Sequence, residues 1–195
     1  MHYATALTLA VTLTAMPAHA SPFGIDMGEP LSQLGQTVDE FGGKFKVESP
    51  PTQHPTFEKY YVIATPETGV CEVEADSYSF PSMFLNDRFK QVREQIASKY
   101  GVSRDIVRDK YPPGDPGLQW DERSGAELKD GIVRIMLLQR RSTNEIMKDD
   151  AHMTIQYFYQ NFNTCDEILK KMQETIAAER QKVDQDKAKK DAGAF

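Results

Sequence analysis

The first twenty residues contain no Asp, Glu, Lys or Arg, and this local lack of charge is the most informative feature of the sequence. An apolar run from Ala6 to Met16 leads into residues 17–20, Pro-Ala-His-Ala, which place small residues where a signal peptidase cleaves. The run is shorter than the roughly 20 apolar residues that a membrane-spanning helix needs. We therefore predict that residues 1–20 are a cleavable signal peptide and that the mature chain begins at Ser21.

Features that would hold the mature chain on a membrane are also missing from the sequence. No cysteine stands near the predicted cleavage site, which excludes a lipid anchor at that point. No later stretch is apolar enough to span a bilayer. The predicted location is therefore the periplasm or the outside of the cell.

Cysteine is scarce, since Cys71 and Cys165 are the only two in the chain. In an oxidising compartment two such thiols most simply form a disulfide. A reactive thiol would need a nearby base, and the mature chain offers only His54 and His152. We predict a structural disulfide between Cys71 and Cys165.

Several other classes of function lack their sequence signals. The net charge of −6 argues against binding nucleic acid or anionic lipid through charge. No metal-ligand cluster, phosphate-binding loop or nucleophile motif is present, so the sequence predicts no cofactor and no metal site. The segment Asp149-Asp150-x-His152 carries possible metal ligands, but it has the composition of a solvated turn before a strand.

Alternating and apolar segments predict a sheet. Phe57 to Thr65 and Val70 to Asp76 form a predicted hairpin, in which Cys71, Val73 and Ala75 face the core and the intervening acidic side chains face water. Ile132 to Leu138 is almost wholly apolar apart from Arg134, which is typical of a central strand. His152 to Tyr159 alternates again.

Two long helices are predicted beside this sheet. Residues 82–100 carry one apolar stripe, made of Leu85, Phe89, Val92, Ile96 and Tyr100. A capping box at Thr164 predicts the start of the second helix, whose apolar face carries Cys165, Ile168, Leu169, Met172 and Ile176. The predicted fold is α+β, a mostly antiparallel sheet with both helices packed on one face and one disulfide. Residues 21–178 form the single predicted domain, and residues 179–195 form a charged helix end.

The irregular segment of residues 103–131 contains the candidate contact residues. Tyr111 lies in a Pro- and Gly-rich loop, and Trp120 is the single tryptophan; both types are common at protein interfaces. Trp120 can also simply anchor its loop on the core. Asp121 and Glu122 beside it support a rival hypothesis, a small hydrolase of cell-wall sugar or peptide. A third hypothesis is a carrier that holds an apolar ligand between sheet and helices.

Residues 23–35, Phe-Gly-Ile-Asp-Met-Gly-Glu-Pro-Leu-Ser-Gln-Leu-Gly, resemble the opening of small exported bacterial domains. The families with this opening are the SmpA/OmlA outer-membrane-assembly lipoproteins and the β-lactamase-inhibitor-like proteins, and the resemblance extends to the hairpin that ends near Asp76. It implies an α+β scaffold used for protein contacts and carries over no catalytic residue. The chain lacks the lipobox cysteine of the lipoproteins, so their membrane tethering is not carried over.

Together these features favour an exported, non-enzymatic binding protein of the bacterial cell envelope. Its expected partner is another protein, either an envelope enzyme that it neutralises or an assembly that it assists.

Overall fold

A computed structural model describes residues 21–107, 116–141 and 149–192, and an antiparallel sheet dominates the fold. Within these ranges the chain forms nine strands: β1 (Thr37–Phe41), β2 (Lys44–Val47), β3 (Phe57–Thr65), β4 (Gly69–Ser77), β5 (Phe80–Pro81), β6 (Arg104–Val107), β7 (Pro116–Trp120), β8 (Ile132–Arg141) and β9 (Asp150–Tyr159). The α-helices of the same ranges are α1 (Leu85–Tyr100) and α2 (Phe162–Ala192). Short 3₁₀ turns occur at Pro22–Gly24, Leu31–Gln33, Ser82–Phe84 and Glu122–Ser124.

The strands follow the order β1-β2-β3-β4-β9-β8-β7-β6, and every neighbouring pair is antiparallel. Strand β5 extends the sheet by pairing with the start of β9. The predicted hairpin is confirmed as β3 and β4, and the predicted central strand as β8, which lies between β9 and β7. The α+β class and the antiparallel sheet are therefore confirmed.

Helix α1 covers one face of the sheet. The predicted apolar stripe is buried along its whole length, and Gly101 ends the helix with a positive φ of 80° that favours glycine. The stripe joins a core that includes Tyr157, Ile155 and Ile135 from the same sheet face. The β9 residues on this face are those that the alternation in the sequence placed on one side.

The residues after the predicted cleavage site complete that core. Ile25 is fully buried, and its carbonyl oxygen accepts a 2.6 Å hydrogen bond from the Tyr159 hydroxyl. The Phe23 ring makes edge contacts with Tyr60 and Tyr157, at centroid distances of 4.9 Å and 6.0 Å. The residues that follow the predicted cleavage site are thus part of the folded domain.

The prediction that both helices pack on one face is confirmed only in part. Phe162, in the first turn of α2, packs edge-on against Phe158, whose side chain alternates with Tyr157 and so lies on the opposite sheet face from α1. The helix also begins at Phe162, two residues before the predicted cap at Thr164. The Cys165 amide donates a helical hydrogen bond to the Asn161 carbonyl oxygen. Thr164, the predicted cap, therefore lies inside the first turn of the helix.

The predicted disulfide between Cys71 and Cys165 is confirmed, with a Cα–Cα distance of 6.4 Å. The disulfide lies on a different sheet face from the one expected, because the β3–β4 register shifts between Ile63 and Ala64. The shift leaves Cys71 as an extra, unpaired residue between Val70 and Glu72. Such a bulge breaks the alternation of side chains, so Cys71 bonds to the helix on the Glu72 face and does not join Val73 in the α1 core.

Most of α2 leaves the sheet. Leu169 packs closely on Gly43, where a Cβ atom would lie 2.2 Å from a Leu169 methyl group. Beyond this contact Met172, Ile176 and Val183 are 42 %, 43 % and 65 % exposed, although the sequence pattern predicted a buried stripe through Met172 and Ile176. The helix continues without a break past residue 179.

Four strands were not predicted. They are β1, β5, β6 and β7, and β7 includes Pro116 and Gly117, from a stretch that was expected to hold no regular structure. Among the described residues, neither helix is long and apolar enough to cross a membrane.

Candidate functional site

The sheet face opposite α1 carries a row of polar side chains. Cross-strand pairing places Glu74 of β4 beside Gln156 of β9, then Met136 of β8, Gln119 of β7 and Arg104 of β6. Directly paired residues project to the same side of a sheet, so these five side chains form one line across it. A second, shorter line pairs Glu72, Phe158 and Arg134.

The first turns of α2 lie over these lines and form a groove, which we call the polar groove. The Phe158 and Phe162 rings meet edge to face at 4.9 Å, and the disulfide fixes the helix to β4. The groove has a volume of about 850 Å³. It is lined by Ile63, Glu72, Glu74, Arg104, Asp105, Ile106, Val107, Gln119, Arg134, Met136, Gln156, Phe158, Phe162 and Asp166.

Two carboxyl groups share one amide in this groove. The side-chain nitrogen of Gln156 donates to Glu72 at 3.0 Å and to Glu74 at 2.8 Å. Lys44 forms a 2.8 Å ion pair with Glu74 but not with Glu72, which is only 3 % exposed. Burial, assisted by the charge of Glu74, raises the pKa of Glu72 to about 8. Glu72 is therefore protonated near neutral pH, while Glu74 has a cationic partner.

Arg134 presents a cation without a hydrogen-bonded counterion. Its guanidinium group lies 3.9 Å from the centroid of the Phe158 ring and 5.8 Å from that of Phe162. Within the described part of the chain no side-chain hydrogen bond or ion pair involves this group, and its buried Nε atom has no partner. Burial lowers the pKa of Arg134, but an arginine stays charged in a protein. A half-buried charge of this kind needs an acceptor.

The second arginine of the groove, Arg104, forms an ion pair with Asp121. Arg104 donates to both carboxylate oxygens of Asp121, at 2.9 to 3.3 Å. Asp121 also accepts from the Gln119 side chain and from the Ser124 amide, as the cap of a 3₁₀ turn. Burial acts to raise the pKa of Asp121, but these hydrogen bonds, led by that of Arg104, outweigh it and lower the pKa below its usual value.

This geometry does not make Asp121 or Glu122, the two residues of the hydrolase hypothesis, a poised acid. The carboxylate of Asp121 is ionised and holds Arg104 and the turn in place, whereas Glu122 is exposed. A general acid for glycoside hydrolysis needs a raised pKa, the opposite of what surrounds Asp121. Asp121 therefore has a structural role, in holding Arg104 and the 3₁₀ turn.

Trp120 is fully buried, and its indole nitrogen donates a 3.0 Å hydrogen bond to the Gly101 carbonyl oxygen. It ties β7 to the end of α1 and offers no surface to a partner. Tyr111 lies outside the described residues. Of the predicted site residues, the structure brings together Cys71 and Cys165, whose bond fixes the helix that covers the groove.

The residues that build the groove gave weak signals in the sequence. Arg134 is the one charged residue in the apolar segment from Ile132 to Leu138, and such an exception points to a special environment. The alternating acidic residues of β4 predicted a wet sheet face, because nothing in the sequence shows that α2 covers them. No group of three or more His, Cys, Asp or Glu residues suited to a metal ion occurs in the described ranges.

Comparison with known proteins finds no family model, no curated protein and no solved structure that matches this chain.

Proposed function

We propose that the chain is an exported, non-enzymatic binding protein of the bacterial cell envelope, which binds a protein partner through the polar groove. The observation that carries this proposal is Arg134, a half-buried cation on the floor of an open groove with no side-chain acceptor among the described residues. Charged and polar side chains line the groove together with apolar ones, and protein interfaces combine both kinds of surface.

The proposed setting is the periplasm or the extracellular space. Cleavage before Ser21 and the disulfide between Cys71 and Cys165 both suit export. The resemblance of residues 23–35 to exported bacterial domains points to the same setting and to protein contacts.

The exposed part of α2 favours a protein over a small molecule as the partner. Met172, Ile176 and Val183 form an exposed apolar stripe on the part of α2 that extends beyond the sheet. A small ligand in the groove would leave this stripe in water, whereas a protein can cover both.

The test is capture from an envelope extract by the immobilised mature protein, with two arginine variants compared. Arg134→Met removes the groove cation. Arg88→Met is the matched control, because the Arg88 guanidinium also lies over an aromatic ring, 4.8 Å from the Phe80 centroid. Arg88 is an exposed residue of α1 and lies outside the groove. We expect one protein to be retained by the wild type and by Arg88→Met, and to be lost from Arg134→Met. Equal retention by all three forms would refute binding through the groove.

A cell-wall zymogram tests the non-enzymatic part of the proposal. We expect no clearing by the wild-type protein. Clearing that disappears in the Asp121→Ala/Glu122→Ala variant would overturn the proposal in favour of the hydrolase.

A further inference from the structure

From the charges and the shape of the polar groove, we infer that its ligand group is a single carboxylate carried on an apolar group, with Arg134 as the anchor. This inference rests on the proposed function, because it names the part of the partner that enters the groove. A chain terminus that ends in an apolar residue has this chemistry, and so does a free aryl or alkyl acid.

The stacking of Arg134 determines which kind of acceptor it can take. The Arg134 Cζ atom lies 3.9 Å from the Phe158 centroid, and the N–H groups of a guanidinium point outward in its own plane. A carboxylate has two coplanar oxygens and accepts two parallel hydrogen bonds from such a fork. Phe158 is itself buried, so the stack is held in position by the sheet.

The other charges of the groove favour one negative charge over two. Glu74 pairs with Lys44 at 2.8 Å, Asp166 pairs with Lys170, and Arg104 pairs with Asp121. Asp105 is an exposed acidic residue of the lining with no ion pair among the described residues. Glu72 is held neutral by its burial, so it gives Arg134 no counterion near neutral pH. A monoanion would balance Arg134, whereas a phosphate dianion would bring a surplus charge near the carboxylates of Glu74 and Asp166.

The remaining walls of the groove suit an apolar group next to the carboxylate. Phe162 stands edge-on to Phe158 beside Arg134, and Met136, Ile63 and Ile106 line the same space. Its volume of about 850 Å³ is much larger than a carboxylate needs, and lies within the range of sites that hold drug-sized ligands.

Calorimetric titration with defined probes tests this inference on the mature protein. The probes are the peptide acetyl-Ala-Ala-Phe as free acid and as amide, 3-phenylpropionate, and phenyl phosphate. We expect at least one of the two carboxylates to bind, the amide to bind at least about ten-fold more weakly than the free acid, and phenyl phosphate to bind more weakly than the carboxylates. Binding of the peptide acid alone would identify a chain terminus, and binding of 3-phenylpropionate as well would extend the site to free acids.

The arginine variants assign the binding to the groove. Arg134→Met should weaken binding of the carboxylate about ten-fold or more, Arg134→Lys should restore only part of it, and Arg88→Met should leave it unchanged. Circular dichroism and melting temperature confirm that each variant is folded. The inference is overturned if neither carboxylate binds, if the amide binds as well as the acid, if phenyl phosphate binds more tightly, or if Arg134→Met binds like the wild type. Capture of a protein partner that depends on Arg134 would still support the proposed function in those cases, so the two failures can be told apart.

Discussion

The side-chain amide of Gln156 donates a 3.0 Å hydrogen bond to Glu72, on the neighbouring strand at the centre of the sheet. The same nitrogen also holds Glu74, so two carboxyl groups are kept close together under α2. Only one of them has a lysine partner, and the other is deeply buried. The arrangement makes Glu72 a neutral acid at neutral pH, and this has a measurable effect on stability.

The stability of the protein should depend on pH through Glu72. Burial raises the pKa of Glu72 to about 8 in the folded chain, whereas the pKa of a glutamate in an unfolded chain is about 4.5. The free energy of unfolding should therefore fall as the pH rises through this window, by at most about 1.4 kcal/mol per pH unit. Glutamine cannot ionise, so in urea melts from pH 5 to pH 8 the Glu72→Gln variant should lose less stability than the wild type.

Glu94→Gln is the control for this effect, since Glu94 is an exposed residue of α1. Its stability should follow the pH dependence of the wild type. If the Glu72→Gln and wild-type curves run parallel over the whole range, Glu72 is not protonated in the folded state and the account of the groove charges is wrong.

The disulfide should stabilise the fold without being essential to it. Cys71 and Cys165 are separated by 94 positions, and closing so long a loop is worth about 4 to 5 kcal/mol from chain entropy, often less in practice. The Cys71→Ser/Cys165→Ser variant should melt several degrees lower, yet stay folded, because the α1 core does not contain the bond. Titration of the unfolded, non-reduced protein should find no reactive thiol, and two thiols per chain would exclude the bond.

The apolar stripe of α1 should dominate the stability of the core. Phe89 is buried against the sheet, so Phe89→Ala should cost about 3 to 5 kcal/mol in the free energy of unfolding. Lys90 is the neighbouring residue, with a side chain that is 71 % exposed, and Lys90→Ala should cost less than about 0.5 kcal/mol. Denaturant melts of the two variants provide the measurement, and equal losses would mean that the helix faces the sheet with another side.

The mature chain should begin at Ser21, as a mass measurement on exported protein can show. The structure adds a reason why cleavage further along would be harmful, because Pro22 and Ile25 are buried and Ile25 accepts a hydrogen bond from Tyr159. Retention of residues 1–20 on the protein isolated from the cytoplasm would contradict both the export and the redox argument. In that case the thiol titration above decides whether the disulfide forms at all.

Much of the sheet was predictable because its strands carry their own local signals. Strand β3 has the predicted bounds, β4 and β9 differ from them by one or two residues, and α1 has the predicted buried stripe. These segments alternate or repeat with one clear period, so local pattern and tertiary environment agree. Strands β6 and β7 were missed because β7 begins with Pro116 and Gly117, whose conformational preferences argue against a strand.

The candidate site was less predictable because it depends on contacts between distant parts of the chain. The alternation of β4 correctly separates Glu72 and Glu74 from the α1 core, but only the position of α2 shows that this face is covered. The bulge at Cys71 follows from the β3–β4 register, which no local pattern reveals. Trp120 suggested an interface by its residue type, and the structure shows it as an anchor of the core.

The central claim is that the protein binds its partner through the polar groove on the α2 side of the sheet. The most direct test is a backbone amide NMR titration of ¹⁵N-labelled mature protein with the captured partner, or with the acid that binds in calorimetry. We predict that the largest shifts fall on β8, β9 and the first turns of α2, around Arg134, Phe158 and Phe162, and that they disappear in the Arg134→Met variant. Shifts confined to the exposed side of α1 or to β1, with the groove amides unchanged, would contradict the claim.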